Sequence, residues 1–329
     1  MNPGWAGGAK ALREDLLGRW AFGPLMEWER YEFDQPIYGG VNVLRIGDTL
    51  VDTGHVSDRC REAMEAHLAA DLSDVERVLI THPHIDHVGG SQTIDALADL
   101  PHVVPAEADE IIHDYGAYIR EVRADMTRLL QGFGVPEGIW DPYVPAREDY
   151  AGERIDIERV LTDGDTVDVG GYELEAVHTP GHSRQHHAYW HEPSGVCLSA
   201  DIVSRNGHFM YGPLYADVGA YKESLERLAD LEPDVLVPMH GDPAENPQAT
   251  IEDCLEKAQT TDERLRSWLE EEEQFYARHF TRDEIGASKA NAGFLTLVTY
   301  AFLEHLEERG ECRVRVTEEG IEVTRTTTD

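Results

Sequence analysis

Val75-Glu76-Arg77-Val78-Leu79-Ile80-Thr81-His82-Pro83-His84-Ile85-Asp86-His87 is the stretch on which the reading of this chain turns. Val75 to Ile80 is a short apolar strand that ends abruptly in Thr81-His82-Pro83-His84. Four side chains able to bind a metal, His82, His84, Asp86 and His87, follow it within six residues. A strand end is a rigid mount, and the tight loop after it can turn several side chains toward one point. Imidazole with carboxylate suits zinc, and less exclusively iron or manganese. Taken alone, the segment could also be a solvated histidine-rich loop.

Upstream, Val41–Arg45 and Thr49–Asp52 read as strands about a turn at Gly47-Asp48, followed by a helix from Asp58 to Ala70. Strand, helix, strand in this order predicts a layered α/β architecture. Downstream, Ile111, Ile112, Tyr115, Ile119, Val122, Met126 and Leu130 recur at three- and four-residue spacing. This predicts one helix over Ala106–Leu130, closed by Gly132 and Gly134. A loop-rich stretch, Pro136 to Arg154, comes next. Strands are expected at Arg159–Leu161, Thr166–Val169, Tyr172–His178, Ala188–His191, Val196–Ala200 and Val235–Pro238, with a helix at Ala220–Leu231. Three more ligand-type residues, His182, Asp201 and His240, lie close to the ends of apolar strands. An α/β protein assembles a site from distant sequence in this way.

Past about Ile251 the ligand-bearing pattern stops. Glu252 to Arg278 reads as a long charged helix, Thr281 with Glu284 as a capping box, and Ala292 to Glu308 as a second helix. Cys312–Val316 and Ile321–Arg325, about Glu318-Glu319-Gly320, alternate like a β-hairpin. Helix, helix and hairpin outline a small winged-helix-like module. Two units are therefore expected, a catalytic domain at 1–250 and an extension at 251–329.

With HxHxDH present as His82, His84, Asp86 and His87, and with His182, Asp201 and His240 following in order, the chain resembles the metallo-β-lactamase-fold hydrolase superfamily over about Asn42 to Asp242. The resemblance implies an α/β fold of the αββα sandwich type. It implies two divalent ions, zinc before iron or manganese. His82, His84 and His182 would hold the first ion, Asp86, His87 and His240 the second, and Asp201 would bridge both. Asp52 matches the family's aspartate that orients the ligand loop. Ser199-Ala200-Asp201 departs from the commoner Gly-Asp ending, with only a minor backbone adjustment expected. Two adjacent dications lower the pKa of a shared water, so that hydroxide exists near neutral pH. Asp86 and Asp201 are the candidates to accept a hydrogen bond from that hydroxide and aim it.

The substrate class implied is a small ester or thioester, as in glyoxalase-II-like relatives. The alternatives are a single-strand endoribonuclease, since some relatives with a winged-helix-like appendage cut RNA, and a single-iron sulfur dioxygenase on the same fold. A non-enzymatic binding module would show the loss of one or more ligands.

The chain has 329 residues, with 28 Lys+Arg against 64 Asp+Glu and a net charge of −36. A hydrophobic content of 41% suffices for a core and excludes global disorder. Apolar runs fall far short of the about 20 residues a membrane span needs. Met1 to Lys10 shows no secretory pattern. Only Lys10, Lys222, Lys257 and Lys289 are lysine. An acidic, lysine-poor surface suits concentrated salt, so a salt-adapted cytoplasmic protein is expected. Such a surface disfavours nucleic acid and anionic membrane as partners. From Thr281 to Asp329 six basic residues face ten acidic ones, a net of −4. The extension is therefore expected to pack on the catalytic domain or to mediate a homodimer. Cys60, Cys197, Cys254 and Cys312 are scattered and read as small buried residues.

Arg184, His186 and His187 follow His182 closely and could face the cleft, although His186 in relatives is commonly a packing residue. His178 reads as structural. His55, Tyr115, Tyr118, His208 and Tyr211 read equally as pocket or packing residues, and the helix over Ala106–Leu130 as a cap or as core.

Overall fold

Apolar runs and alternation become two facing sheets in the computed structural model, which describes residues 26–36, 39–134, 149–204, 206–244, 246–283, 292–317 and 319–326. The first sheet contains β1 (Glu29–Asp34), β2 (Gly40–Ile46), β3 (Thr49–Val51), β4 (Arg77–Leu79), β5 (Pro101–Pro105) and β6 (Asp156–Leu161), in that order. β1, β2 and β3 pair antiparallel, and the pairing is parallel from β3 to β6. The second contains β7 (Thr166–Val169), β8 (Tyr172–His178), β9 (His187–His191), β10 (Val196–Ala200) and β11 (Val235–Pro238), ordered β11-β10-β9-β8-β7. Only β10 and β11 pair parallel there.

Between the sheets Leu44, Val51, Leu79 and Val103 meet Val167, Leu174, Tyr189, Leu198 and Val237 in one buried layer. Each such side chain removed from water stabilises the fold by about 1.5–3 kcal/mol. The Tyr189 hydroxyl crosses this layer and donates to the Ile80 carbonyl at 2.7 Å, so the two sheets are held in register beside the ligand loop. At the opposite end a Cβ on Gly170 would lie 2.3 Å from the Ile46 carbonyl oxygen; only glycine permits that turn-to-turn approach.

Helices α1 (Asp58–Leu68), α2 (Gly89–Thr93), α3 (Asp95–Ala98), α4 (Ala108–His113), α5 (Tyr115–Gly132) and α6 (Val218–Asp230) lie outside the sheets, and all but α2, which is flanked by Val88 and Ile94, supply apolar residues to a second cluster, completing an αββα sandwich. α7 (Pro247–Glu271) packs on α6. Beyond it come β12 (Gln274–Tyr276), α8 (Ala277–Asp283), α9 (Ala292–Glu308), β13 (Cys312–Thr317) and β14 (Gly320–Arg325). The three strands form a small sheet ordered β12-β14-β13.

Several expectations need correction. The single helix over 106–130 is two helices, because Asp114 leaves helical geometry and caps α5 by accepting from Ala117 N at 3.3 Å. The helix expected to run to Arg278 stops at Glu271. Glu270 to Glu273 place four carboxylates against the negative end of the helix, and Phe275 is buried in the small sheet instead. Thr281 lies inside α8, its hydroxyl donating to the Ala277 carbonyl, and is not an N-cap. Glu284, Glu318, 1–25 and most of the loop-rich stretch, 135–148, lie outside the described residues. The strands β1 and β5 were not anticipated: the first is a heavily charged edge, and the second is bounded by prolines.

All four cysteines are buried and unpaired, and burial pushes the Cys60 thiol up to about 11. Among the described residues no helix is long and apolar enough to cross a membrane.

Glu304 of α9 sets a pH dependence. Burial first, then repulsion from Asp125 and Glu308, raises its carboxyl to about 7, against the Tyr300 hydroxyl and Arg128, which lower it. The folded state thus holds this proton more tightly than the unfolded chain does. The contribution is fully present below pH 4.5 and is lost as pH rises through 7. Glu304→Gln, which keeps an acceptor for Tyr300, is expected to melt higher than the parent at pH 8, with the gap closing below pH 5. Equal melting temperatures at pH 8 would contradict this.

Candidate metal centre

β4 ends at Leu79, and Ile80 and Thr81 carry the chain into the loop that bears His82, His84, Asp86 and His87. Asp52, just past the end of β3, ties this loop down. Its carboxylate accepts from Thr81 N, from Thr81 Oγ1 and from His87 Nδ1, each at 2.8 Å. Its own backbone is left-handed, with φ of 61°, a conformation that aspartate tolerates better than most residues. His182 follows β8, Asp201 follows β10 and His240 follows β11. The four sources meet at one edge of the sandwich.

All seven residues come together and all are buried. His82, His84 and His182 form one group, His82, His87 and Asp201 a second, and Asp86, His87 and His240 a third, the ligand atoms of each lying within 4.8 Å of one another. His84 Nδ1 is 2.8 Å from His182 Nε2. Asp201 Oδ2 lies 3.2 Å from His87 Nε2, 3.2 Å from His240 Nε2 and 3.5 Å from His182 Nε2. That single oxygen therefore stands where both triads can reach it.

The far sides of the rings are fixed by partners, which settles which nitrogen faces the centre. His82 Nδ1 meets Thr81 Oγ1 at 3.0 Å, His182 Nδ1 donates to the Met210 carbonyl at 2.7 Å, and His240 Nδ1 donates to the Gly40 carbonyl at 2.9 Å. Gln35 donates to Asp86 Oδ2 at 3.1 Å. His186 stands behind Asp201: Asp201 N donates to His186 Nε2 at 3.0 Å, and His186 Nδ1 donates to Thr179 Oγ1 at 2.8 Å.

The electrostatics favour a cation. Burial lowers His82, His84 and His182 below the usual imidazole range, so they are neutral and able to ligate. Burial would lower His87 and His240 also, but the carboxylates around them outweigh it. Asp201, Asp86 and Asp52 raise His87, and Asp201 with Asp86 raises His240 to about 10. Burial works against ionisation of Asp86 and Asp201, yet their histidine neighbours hold both carboxyls well below the ordinary range. His82 Nε2, His84 Nε2 and Asp201 Oδ1 are buried without a hydrogen-bond partner. Buried polar atoms are seldom left so, and here they share a cluster of imidazole and carboxylate, a donor set that fits divalent ions.

Ala200 adopts φ of 45°, the left-handed region in which the commoner glycine is at ease. The departure at Ser199-Ala200-Asp201 is thus absorbed as local strain. Ala200→Val, adding a β-branch in a fully buried left-handed position, is expected to destabilise by about 3 kcal/mol. Ala200→Gly should stay within about 1 kcal/mol of the parent in chemical denaturation, since relief of strain offsets lost packing and greater chain entropy. Equal stability of the two variants would contradict the strained backbone.

Other candidates separate by environment. His187 pairs across β8 with His178 and turns Nδ1 to the Gln185 carbonyl. His178 Nε2 bonds the Arg184 carbonyl, a structural role as expected. Arg184 pairs with Glu107 at 2.8 Å and lies over the Tyr215 ring. His55, Tyr115, Tyr118 and Tyr211 are buried. His55 Nδ1 accepts from Ser57 N, which turns that face of its ring to its own loop. Gln35, the Gly40 and Met210 carbonyls and Thr81 carried no recognised role in the sequence; two act through backbone carbonyls, which no residue type reveals.

Residues 39–240 match the family described as the metallo-beta-lactamase superfamily. A probable metallo-hydrolase of Bacillus subtilis, YqjP, is 31% identical over 238 residues, covering 68% of this chain and 73% of that protein. The human acyl-coenzyme A thioesterase MBLAC2 is 26% identical over 61% of this chain and 64% of its own length. A hydroxyacylglutathione hydrolase of Bdellovibrio bacteriovorus is 24% identical over 52% of this chain and 50% of its own. Among solved structures, a metallo-beta-lactamase family protein of Thermus thermophilus superposes with a TM-score of 0.71 at 24% identity, covering 91% of this chain and 98% of that one. Ligand loop, sandwich and sequence likeness agree: the chain belongs to the metallo-beta-lactamase superfamily and is a metal-binding hydrolase.

Proposed function

We propose that this protein is a binuclear hydrolase of small esters or thioesters, with residues 1–250 as the catalytic unit and 251–329 as an appendage. The observation that supports the reading is Asp201 Oδ2, within 3.5 Å of nitrogens from both triads, where it would serve ions held by either. His82, His84 and His182 would hold one ion and Asp86, His87 and His240 the other, most simply zinc. Ions bound there would supply Lewis acidity and lower the pKa of water. The chain's own part is to hold and aim. Asp86 and Asp201 present carboxylate oxygens that accept a hydrogen bond from the attacking water and aim it, Asp52 fixes the loop beneath them, and His186 fixes the Asp201 backbone. The water oxygen bonds to the acyl carbon, the C–S or C–O bond breaks, and the proton ends on the leaving group. The thioesterase and hydroxyacylglutathione hydrolase relatives favour a thioester.

A net charge of −36 with four lysines favours a salt-adapted cytoplasmic enzyme, and the assay belongs in molar KCl. At that salt the Debye length is about 3 Å, so acidic repulsion of an anionic substrate is muted. Purified protein is expected to cleave a glutathione or acyl-coenzyme A thioester, to lose that activity with a chelator and to regain it with zinc. Homodimerisation through the extension is tested by light scattering. Cleavage of single-stranded RNA alone would replace this reading, and one iron per chain with sulfur oxidation would replace it differently.

A further inference from the structure

The segment after Asp201 returns to the centre. Met210 presents its carbonyl to His182 Nδ1. Two residues on, a Cβ on Gly212 would stand 1.8 Å from the His182 carbonyl oxygen and 2.7 Å from His84 Cε1, so the backbone there lies against the His182 main chain and the His84 ring. The residue before Met210 is anchored in the C-terminal extension. Phe209 meets the Phe302 ring of α9 edge-on at 6.0 Å and Tyr221 of α6 at 4.7 Å. Tyr211 is buried within the electrostatic reach of Tyr300 and Glu304 of α9 and of Asp125 and Arg128 of α5. α5 also rests on the extension: a Cβ on Gly132 would be 2.8 Å from Ile321 Cγ1 of β14.

We propose that helix α9 is a positioning element of the metal centre, with the Phe302–Phe209 contact pressing the 209–212 segment onto His182 and His84. Phe302 is then a positioning residue and the extension is part of the hydrolytic unit, not a separate binding module. The inference rests on the metal-binding role proposed above for His182 and His84. Its physical basis is that packed aromatic contacts transmit displacement with little slack, because protein interiors are close-packed. A shift of a few tenths of an ångström at Met210 reaches His182 through a 2.7 Å hydrogen bond.

The test compares Phe302→Ala with Val323→Ala in the full chain. Val323 is equally buried, but it sits in the small sheet opposite Phe275 and Val314. Affinity for Co(II) is measured by competition with a chromophoric chelator, the visible Co(II) spectrum is recorded, and folding is followed by circular dichroism. Phe302→Ala is expected to weaken one of two Co(II) sites about tenfold and to alter its absorption band. Val323→Ala should lose melting temperature while keeping parental affinity and spectrum. If Phe302→Ala fails to fold, Phe302→Leu carries the comparison, with about a threefold loss expected. Parental Co(II) affinity in a folded Phe302 variant overturns the inference and leaves the binuclear reading standing. Absence of Co(II) binding by the parent itself overturns that reading first, and this inference with it.

Discussion

Asp86→Ala is expected to lower kcat/KM at least about a thousandfold and to reduce metal content from two ions per chain to one. The apo protein should nevertheless melt within a few degrees of the parent. Among the described residues the carboxylate meets side chains: Gln35 at 3.1 Å, His87 Nε2 at 3.5 Å and His240 Nε2 at 3.4 Å. No strand or helix hydrogen bond depends on it. Asp86 is also among the charges that raise His87 and His240, so its removal lowers both imidazoles toward their ordinary range. His84→Ala should behave alike from the other triad, since its Nδ1 meets another side chain of the cluster, His182 Nε2 at 2.8 Å, and not a strand or helix backbone group. Activity, metal analysis and thermal melting on the same preparations separate loss of chemistry from loss of fold. Retained turnover in either variant would sink the binuclear mechanism.

Asp52 is the opposite case, a residue with no proposed ligand role and a large structural one. Asp52→Ala leaves Thr81 N without its acceptor and removes the carboxylate facing His87 Nδ1, in a wholly buried place. It also puts alanine at φ of 61°. Breaking a buried charged network costs about 3–5 kcal/mol, and the melting temperature should fall by about 10 °C. Asp52→Asn keeps the size and the left-handed tolerance, so it should fold. Its single amide oxygen cannot stand in for both carboxylate oxygens, so either Thr81 N or the pair Thr81 Oγ1 and His87 Nδ1 meets an NH2 group instead, and the loop is held less firmly. Metal affinity is then expected to fall about 10–100-fold. Parental affinity in Asp52→Asn, measured by chelator competition, would show that the ligand loop needs no such brace.

How much of this was legible in the sequence differs by kind of signal. β7, β8, β10 and β11 came out with their observed limits, because short apolar or alternating runs bounded by Gly, Asp and Pro leave little choice of register. α9 did likewise, being long and apolar. The long helices were read too generously. Periodicity continues through Asp114 and through Glu270 to Glu273, where backbone capping in one case and carboxylate repulsion in the other break the helix. β1 was invisible because this edge strand carries charge on both faces and buries a single side chain, Phe33.

The seven converging side chains are named by the sequence, since ligand chemistry resides in residue type and the HxHxDH spacing brings four of them to one loop. What holds them is not named there. Met210 and Gly40 act through carbonyl oxygens, Ala200 and Asp52 through backbone angles, and Phe302 through contact with a segment more than ninety positions away. Residue type determines which atoms can bind a metal; only the packed backbone decides which of their faces points inward, because orientation is set by neighbours that the linear order keeps apart.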